Sequence, residues 1–353
     1  MSWEANIRKA DPYTPGEQPG MDGIIKLNTN ENPYPPPPQV LAAIAGIRPE
    51  EYSLYPDPDA GVLRQSLASY HGVEKEQVFV GVGSDDVLAL AFLTFFNSPQ
   101  PILFPDITYS FYDVWANLYR IPFVTKPLRD DFTIDPADYM GNNGGIIFPN
   151  PNAPTGLLLE PGAVEEILRA NPDAVVIVDE AYIDFCPTGK SVLPLIGDYE
   201  NLLVVRTFSK SRSLAGLRIG YALGSKRLIG CLQNVKFSFN SYTMDLPSLR
   251  GGVASIHEDA YFRETLEKVI VTREWTKKEL EKLGFVCTDS QSNFLFAHHA
   301  HIPAVELFAM LKEAGIYVRY FAKPRIEQYL RITVGTQAQM EALVDCLRSL
   351  VKQ

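Results

Sequence analysis

The chain has 353 residues, 46% of them hydrophobic and 21% charged, which is typical of a globular protein with two domains and excludes a fibrous or disordered chain. Its 32 Lys and Arg residues are outnumbered by 42 Asp and Glu residues, and the net charge of −10 disfavours nucleic acid and anionic membranes as partners. Any small anionic ligand must therefore be bound by a few locally placed cations.

Cysteine usage and the N-terminal residues predict the compartment. The four cysteines are far apart and form no CxxC pair, so we expect free thiols rather than a disulfide framework or a zinc ribbon. The segment MSWEANIRKADPY has no apolar core of a signal peptide, and no run approaches the ~18 apolar residues of a membrane span. We therefore expect a cytoplasmic protein. The histidines of AHHAHI, residues 297–302, have no Cys or acidic residue nearby, so we expect exposed side chains and no metal.

The predicted elements begin with a proline-rich segment, residues 30–38, which cannot form a helix or a central strand and is expected to be an ordered arm or connector. Helical spacing over 160–170 lies among short apolar runs and indicates a βαβ succession. Five runs that are apolar on both faces predict strands of a buried parallel sheet: 77–83, 101–106, 144–150, 174–180 and 201–208. We therefore predict an α/β fold with a large, doubly wound, mostly parallel sheet domain over residues 41–245.

The rest of the chain predicts a smaller α+β domain over residues 246–353. A long charged amphipathic helix is expected over 264–285, ending at Gly284. Short strands are expected in NFLFAH, IYVRYF and YLRITVG, with a helix in AVELFAMLKEAG between the first two. The N-terminal arm, residues 1–40, is predicted to join this domain.

Ligands of open α/β sheets bind beyond the carboxyl ends of the strands, and the first strand is followed there by GVGSDD. A helix that opens at Ser84 can hold a phosphate with its free N–H groups and its dipole. Ser84 as a plain helix cap, with Asp85 and Asp86 in the first turn, explains the same residues equally well. The missing third glycine and the two acids argue against a dinucleotide fingerprint.

Two later strand ends supply a carboxylate and an amine. Asp179 ends a buried strand, where an ionised carboxylate needs a cation such as a protonated ring nitrogen, unless it caps a helix or forms a salt bridge. The segment TFSKSRSLAGLRIGY, residues 207–221, places Lys210 among hydroxyls and near Arg218; alone, it is equally typical of a polar surface loop. Neighbouring cations and partial burial favour a nucleophilic amine suited to Schiff-base chemistry. Pyridoxal 5'-phosphate combines an aldehyde, a pyridine nitrogen and a phosphate that match these groups.

The motifs NENPY, YPDP, NPNAPTG, DEAY and TFSKSRSLAGLRIGY resemble, in this order, those of fold type I pyridoxal-phosphate enzymes, and within them the histidinol-phosphate aminotransferase family. The series extends over about residues 13–336, nearly the whole chain. A single NPxxPTG or DEAY motif is a weak signal, whereas five motifs in family order at matching spacing are a specific one. The resemblance implies pyridoxal 5'-phosphate as cofactor and a homodimer with shared active sites.

The resemblance also implies a role for individual residues. Lys210 would form the Schiff base, Asp179 would pair with the pyridine nitrogen, and Tyr182 would hydrogen-bond the 3-oxygen of the ring. Tyr109 would stack on the ring face. The phosphate would be held by Ser84, the backbone of Asp85, Ser209, Arg218 and, from the other subunit, Tyr55.

One position departs from the family pattern. The family commonly has an asparagine before PTG that helps Tyr182 hold the 3-oxygen, and this chain has Ala153 there. Either Asn152 replaces that contact or the contact is absent. The departure concerns the electronic tuning of the cofactor rather than its presence.

Two arginines within apolar strands are candidates for substrate binding, since a buried guanidinium needs an anion; a structural ion pair is the alternative. The resemblance implies that Arg331 and Arg319 bind the phosphate or carboxylate of the substrate, helped by Tyr13 and Asn293. It further implies a transamination that joins glutamate and 2-oxoglutarate to imidazole acetol phosphate and L-histidinol phosphate, in histidine biosynthesis. Aromatic aminotransferases and threonine-phosphate decarboxylases resemble this family closely. A non-catalytic cofactor-binding protein and a nicotinamide dehydrogenase are alternatives of other classes.

Overall fold

The computed structural model describes residues 2–20 and 23–351. Its helices are α1 (Pro38–Ala45), α2 (Gly61–His71), α3 (Gly83–Phe95), α4 (Tyr112–Tyr119), α5 (Pro161–Ala170), α6 (Lys226–Phe239), α7 (Leu246–His257), α8 (Asp259–Lys282), α9 (Ala304–Glu313) and α10 (Gln337–Leu350). Its strands are β1 (Ile25–Lys26), β2 (Val78–Val82), β3 (Ile102–Pro105), β4 (Phe123–Lys126), β5 (Gly145–Pro149), β6 (Val176–Asp179), β7 (Leu202–Thr207), β8 (Ile219–Gly224), β9 (Phe285–Cys287), β10 (Phe294–His299), β11 (Ile316–Tyr317), β12 (Arg319–Tyr320) and β13 (Leu330–Thr333). Over these described residues, no helix is both long enough and apolar enough to cross a membrane.

The central sheet has seven strands in the order β2-β8-β7-β6-β5-β3-β4. The neighbours from β7 to β4 are parallel, and β8 is antiparallel to both β2 and β7. Both faces are covered, because Val176 and Val178 pack with α2, α5 and α7, whereas Ile177 packs with α3, α4 and α6. These features confirm the predicted α/β fold with a mostly parallel sheet.

The predicted strands and helices lie where the structure has them, although some of their boundaries differ. The five apolar runs form β2, β3, β5, β6 and β7, and the helical pattern over 160–170 forms α5. The long C-terminal helix α8 starts five residues before the predicted position, at Asp259, and ends at Lys282. The segment IYVRYF was predicted as one strand, but Val318 separates β11 from β12, which pair with different partners.

A second layer of strands forms beside the central sheet. An antiparallel sheet in the order β12-β13-β10-β9 packs on α8, α9 and α10 through a core that includes Leu280, Leu311 and Leu343. The N-terminal arm contributes β1, which pairs in parallel with β11 so that Ile25 lies opposite Ile316. The arm is therefore hydrogen-bonded to this smaller unit.

Helix α7 lies against the central-sheet unit. A Cβ atom at Gly251 would lie 2.7 Å from Leu217 Cδ1 and 3.4 Å from Val40 Cγ1, and one at Gly252 would lie 3.0 Å from Ile219 Cδ1. These close approaches seat the helix next to α1 and β8. We therefore propose that the large domain extends through α7, to residue 257, rather than ending at residue 245.

Candidate active site

A cleft opens at the carboxyl ends of β6 and β7, beside the N-terminus of α3. Pro149, Ala153 and Ala181 supply its apolar lining. The cleft also brings together eight of the residues that the sequence predicted for a cofactor site: Ser84, Asp85, Tyr109, Asp179, Tyr182, Ser209, Lys210 and Arg218. The parallel strands end at one edge of the sheet. Residues from four separate stretches of the chain therefore meet in the cleft.

Asp179 is the last residue of β6 and is 5% exposed. Its Oδ1 accepts a hydrogen bond from the Ala181 N–H at 3.1 Å, and its Oδ2 accepts one from the Tyr112 hydroxyl at 3.3 Å. Burial raises the pKa of this carboxyl to about 7, from an ordinary value of 3.8. No Lys, Arg or His of the described residues forms a salt bridge with it, so its geometry suits a cationic ligand atom such as a protonated ring nitrogen.

Lys210 follows β7 and is half-buried in the cleft. Its Nζ donates to the Thr29 carbonyl at 3.2 Å and lies 5.9 Å from the centroid of the Tyr182 ring. The Asn32 side-chain amide donates to the carbonyls of Lys210 and Ser211 at 3.0 and 3.1 Å. The amine thus has one protein acceptor among the described residues, which leaves donors available to a ligand.

The N-terminus of α3 and Arg218 form an anion site. The helix begins at Gly83 with Val82 as its N-cap, and no side chain of residues 2–20 or 23–351 caps it, so Ser84 is not the N-cap that the sequence allowed. A Cβ at Gly83, where φ is +83°, would lie 2.5 Å from Arg218 Nη2, so glycine permits the close approach of the guanidinium. Arg218 donates to Ser209 Oγ at 3.4 Å and to Asp85 Oδ2 at 3.3 Å. Free helix N–H groups beside a guanidinium and hydroxyls suit a phosphate.

The Asp85 carboxylate is hydrogen-bonded at both of its oxygens beside that site. Its Oδ1 accepts a hydrogen bond from the Tyr109 hydroxyl at 2.7 Å while its Oδ2 faces Arg218. Burial raises the pKa of Tyr109 well above its ordinary range, so the phenol stays protonated and acts as a donor. The Tyr109 ring also packs edge-on against Tyr112, at 5.8 Å between centroids.

Asn152 lies outside the cleft. Its side-chain amide donates to the Ile107 carbonyl at 2.9 Å and to Thr155 Oγ1 at 3.2 Å, and its Oδ1 accepts from Thr108 Oγ1 at 3.2 Å. Both the NH2 group and the oxygen of the Asn152 side chain are therefore already hydrogen-bonded outside the cleft. Ala153, rather than Asn152, lines the cleft and offers no side-chain hydrogen bond.

The two predicted substrate arginines lie opposite each other in neighbouring strands, β12 and β13. Arg331 donates to the Asn28 carbonyl at 2.9 Å, and its buried Nε has no partner among the described residues. Its guanidinium carbon lies 5.5 Å from the Phe294 ring centroid, and burial lowers its pKa. Among the described residues no carboxylate forms a salt bridge with Arg331 or Arg319, which argues against the structural ion pair and leaves an unmet donor for an anion.

The other two predicted substrate residues are close to the cleft. Tyr13 stacks on Phe111 with ring centroids 4.2 Å apart. Asn293 donates to the Asn30 carbonyl at 3.0 Å, while its buried Oδ1 has no partner among the described residues.

Tyr55 does not line the cleft of its own chain. It is 80% exposed and stacks on Tyr242 with ring centroids 4.5 Å apart. A single chain therefore does not bring its hydroxyl to the anion site at Arg218.

Some residues that hydrogen-bond to the cleft residues were not predicted from the sequence. They are Thr29, Asn30 and Asn32, which lie in or beside the NENPY motif, and Tyr112, which contacts Asp179. The motif itself was the available signal for the first three. A buried tyrosine of α4 has no local signal, because only the packing of α4 on the sheet brings it to Asp179.

The histidine cluster has a structural role at His299. Its Nδ1 accepts the N–H groups of His301 and Ile302 at 3.2 and 3.1 Å, and its Nε2 bonds to the Leu283 carbonyl at 3.0 Å. His298 and His299 are half-buried rather than exposed as expected. Over residues 2–20 and 23–351, no group of His, Cys, Asp or Glu is arranged to hold a metal ion.

The sheet order and the cleft define an α/β enzyme of the fold type I aminotransferase class. A family model described as aminotransferase class I and II matches residues 22–347. Histidinol-phosphate aminotransferase 1 of Hydrogenovibrio crunogenus is 53% identical over 350 residues, covering 99% of this chain and 98% of that protein. Histidinol-phosphate aminotransferase of Lactococcus lactis subsp. cremoris is 50% identical over 352 residues, covering 100% and 98%.

A solved structure shares the fold. The histidinol-phosphate aminotransferase from Sinorhizobium meliloti, in complex with pyridoxal-5'-phosphate, superposes with a TM-score of 0.84 at 23% identity, covering 92% of this chain and 91% of that one. The chain belongs to the class I and II aminotransferases and, within them, to the histidinol-phosphate aminotransferase family.

Proposed function

We propose that this enzyme catalyses the reversible transfer of an amino group between glutamate/2-oxoglutarate and L-histidinol phosphate/imidazole acetol phosphate, a step of histidine biosynthesis. The observation that carries the proposal is the match, over 98% of their length, to relatives named for this activity at 50% identity or more. The cleft agrees with it, because an amine, an anion site and a buried carboxylate that lacks a cationic partner among the described residues lie together there.

The cleft fits pyridoxal 5'-phosphate, the cofactor of this family, at three points. Asp179 would hold the protonated ring nitrogen, because this carboxylate is buried without a cationic partner among the described residues. Lys210 would bind the aldehyde carbon through its amine. The open N-terminus of α3, with Ser84, Ser209 and Arg218, would hold the phosphate.

Each of three residues of the cleft would have its own role in the reaction. When bound, the cofactor supplies an aldehyde that condenses with amines and a pyridinium ring that accepts electron density. Lys210 would act as the general base that removes the proton from the Cα of the substrate, and as the general acid that delivers it to the aldehyde carbon of the cofactor. Asp179 would keep the ring nitrogen protonated, since its ionised form would be stabilised by that positive charge. Tyr109 would cover one face of the ring and exclude water.

We propose that the substrate anion binds between the two arginines. The buried Nε of Arg331 has no acceptor within the part of the chain that the structure describes, and Arg319 extends from the adjacent strand. Tyr13 and Asn293 would complete this side of the cleft, since Asn293 has a free buried acceptor and Tyr13 lies over Phe111. Glutamate and 2-oxoglutarate would use the same guanidinium groups with their carboxylates.

We propose that the enzyme is a homodimer with shared active sites. Tyr55 would reach the cofactor phosphate of the partner. The supporting observation is a set of exposed apolar side chains near Tyr55 in one chain, which a second copy would cover. The most exposed of them are Leu54, at 71%, and Phe239, at 73%.

A cytoplasmic location belongs to the same proposal. All four cysteines are free, and burial raises the pKa of Cys186 and Cys287 to about 12, which makes them unreactive. Free thiols are typical of a reducing compartment.

Steady-state rates with three amino donors test the proposed substrate: L-histidinol phosphate, L-phenylalanine and O-phospho-L-threonine, each with 2-oxoglutarate. We expect the highest kcat/KM with histidinol phosphate. The Lys210→Ala variant should lose nearly all turnover with every donor, and Lys210→Arg serves as a control that keeps the charge but not the nucleophilic amine. A higher kcat/KM with phenylalanine, or carbon dioxide release from phosphothreonine, would replace the proposed substrate with that of a related enzyme.

A further inference from the structure

Asn30, a residue of the N-terminal arm, contacts the hydroxyl group of Tyr182. Its Nδ2 lies 2.9 Å from Tyr182 Oη, and the two residues are 1% and 8% exposed. The two residues are 152 positions apart in the sequence. A buried hydrogen bond to a cleft residue is therefore supplied by a segment outside the central sheet.

The hydrogen-bond network fixes which end of the Asn30 amide faces the tyrosine. Thr333 Oγ1 accepts the backbone N–H of Asn30 at 3.0 Å, so its own proton is free to be donated to Asn30 Oδ1, also at 3.0 Å. That leaves Nδ2 as the end directed at Tyr182. The left-handed backbone of Asn30, with φ of 56°, and the bond from Asn293 to its carbonyl hold the residue in place.

The direction of this bond determines what Tyr182 can offer to a ligand. A phenol has one proton and can also accept hydrogen bonds. Because the oxygen of Tyr182 accepts from Asn30, its proton remains to be donated elsewhere, and Tyr182 lines the cleft. Ala153, on the same cleft, has no side-chain donor to share this role.

We propose that Asn30 is a positioning residue that orients the hydroxyl group of Tyr182 as a hydrogen-bond donor into the cleft, toward the 3-oxygen of the bound cofactor. The inference rests on the proposed function, because it names the oxygen that Tyr182 faces. The same turn supplies the Thr29 carbonyl that accepts from Lys210. Two consecutive residues of the arm, Thr29 and Asn30, therefore hydrogen-bond to the Lys210 amine and to the Tyr182 hydroxyl group.

A pH titration of the visible absorption of the cofactor-loaded protein tests the proposal. A hydrogen bond donated by Tyr182 to the 3-oxygen of the cofactor stabilises the anionic form of that oxygen. It therefore lowers the midpoint pH at which the visible absorption of the loaded protein changes. Glycine at position 30 tolerates the left-handed backbone, so Asn30→Gly removes the amide and leaves the charged groups near Tyr182 unchanged: Asp85, Asp179, Lys210, Arg218 and Arg331. We expect the midpoint to rise by roughly 0.5 to 1 pH unit.

A double-mutant cycle separates positioning from a general structural effect. In a Tyr182→Phe background the hydroxyl group is absent, so Asn30→Gly should add almost no further shift. An equal shift in both backgrounds, or none in the wild-type background, would overturn the proposal.

Thr333→Val provides a second route if Asn30→Gly does not fold. It removes the hydroxyl that holds the Asn30 amide, and we expect a smaller shift in the same direction, again absent in the Tyr182→Phe background. If the wild-type protein takes up no cofactor and shows no band, the proposed function fails and this inference fails with it. If the band forms but neither variant moves its midpoint, only the inference about Asn30 is wrong.

Discussion

Burial of Asp179 in the cleft carries an electrostatic cost for its ionised form. Its carboxyl is buried, has two neutral donors, and has no cationic partner among the described residues. The rise of its pKa from 3.8 to about 7 corresponds to on the order of 4 kcal/mol against the ionised form in the cofactor-free protein. A protonated ring nitrogen would remove that cost, so the same residue that destabilises the empty cleft would stabilise the loaded one.

The pH dependence of unfolding tests this cost. Between the unfolded pKa near 3.8 and the folded pKa of about 7, the folded carboxyl binds more protons, so its contribution to stability is lost as pH rises. From about pH 5 to about pH 8, we expect the cofactor-free wild-type protein to lose about 2 to 3 kcal/mol relative to Asp179→Asn, measured by urea unfolding. If the free energy of unfolding depends on pH in the same way for the two proteins, burial of the Asp179 carboxylate carries no such cost.

At the scale of secondary-structure elements, the anion site depends on the junction between β2 and α3. A Cβ at Gly220 of β8 would lie 2.2 Å from the backbone of Gly83, so the adjacent antiparallel strand closes tightly over the start of the helix. Arg218 precedes that strand and has φ of 49°. The two glycines therefore let β8 bring the guanidinium to the uncapped helix terminus.

Replacing Gly83 with alanine should weaken cofactor binding. The new Cβ would meet Arg218 Nη2 at 2.5 Å and displace the guanidinium. Gly72→Ala is the matched control, because Gly72 also has a positive φ, of +69°, but open space around it. Both variants should lose about 1 to 2 kcal/mol of stability. Only Gly83→Ala should also lose cofactor affinity, by about tenfold or more in a spectroscopic titration; equal affinity in the two variants would contradict the role of Arg218.

At the scale of the whole molecule, we propose that the active site is complete only in a dimer. Tyr55 is exposed at 80% and does not line the cleft of its own chain. The arm that contacts Lys210 and Tyr182 is joined to the smaller unit through β1 and β11. The cleft therefore combines the central sheet, the smaller unit and, in the proposed dimer, a second chain.

Mixing two inactive variants tests the shared site. Lys210→Ala lacks the amine, and Tyr55→Ala lacks the phenol that its partner needs. A mixed dimer has one complete site, so refolding equal amounts together should restore roughly a quarter of the wild-type activity. No recovery, with mixed dimers verified by mass, would show that Tyr55 acts within its own chain, and full activity of Tyr55→Ala refolded alone would show that Tyr55 is not part of the site. Each variant refolded alone is the control.

Much of the architecture follows from local sequence pattern. Runs such as 174–180 and 201–208 are apolar on both faces because helices cover the sheet on both sides, so they were recognised as buried parallel strands. The edge strand β4, with two exposed residues, and the glycine-containing strand β8 lack that pattern and were not predicted. Pairing with a neighbour, rather than composition, makes them strands.

Residue types at strand ends were enough to indicate Lys210, Asp179 and Arg218, since their chemistry is carried in short motifs of the sequence. The hydrogen bond from Asn30 to Tyr182 and the commitment of the Asn152 amide to its own loop were decided by the tertiary structure. Both depend on residues distant in sequence meeting at one place. A motif specifies which groups are present, whereas packing alone determines which partner each group faces.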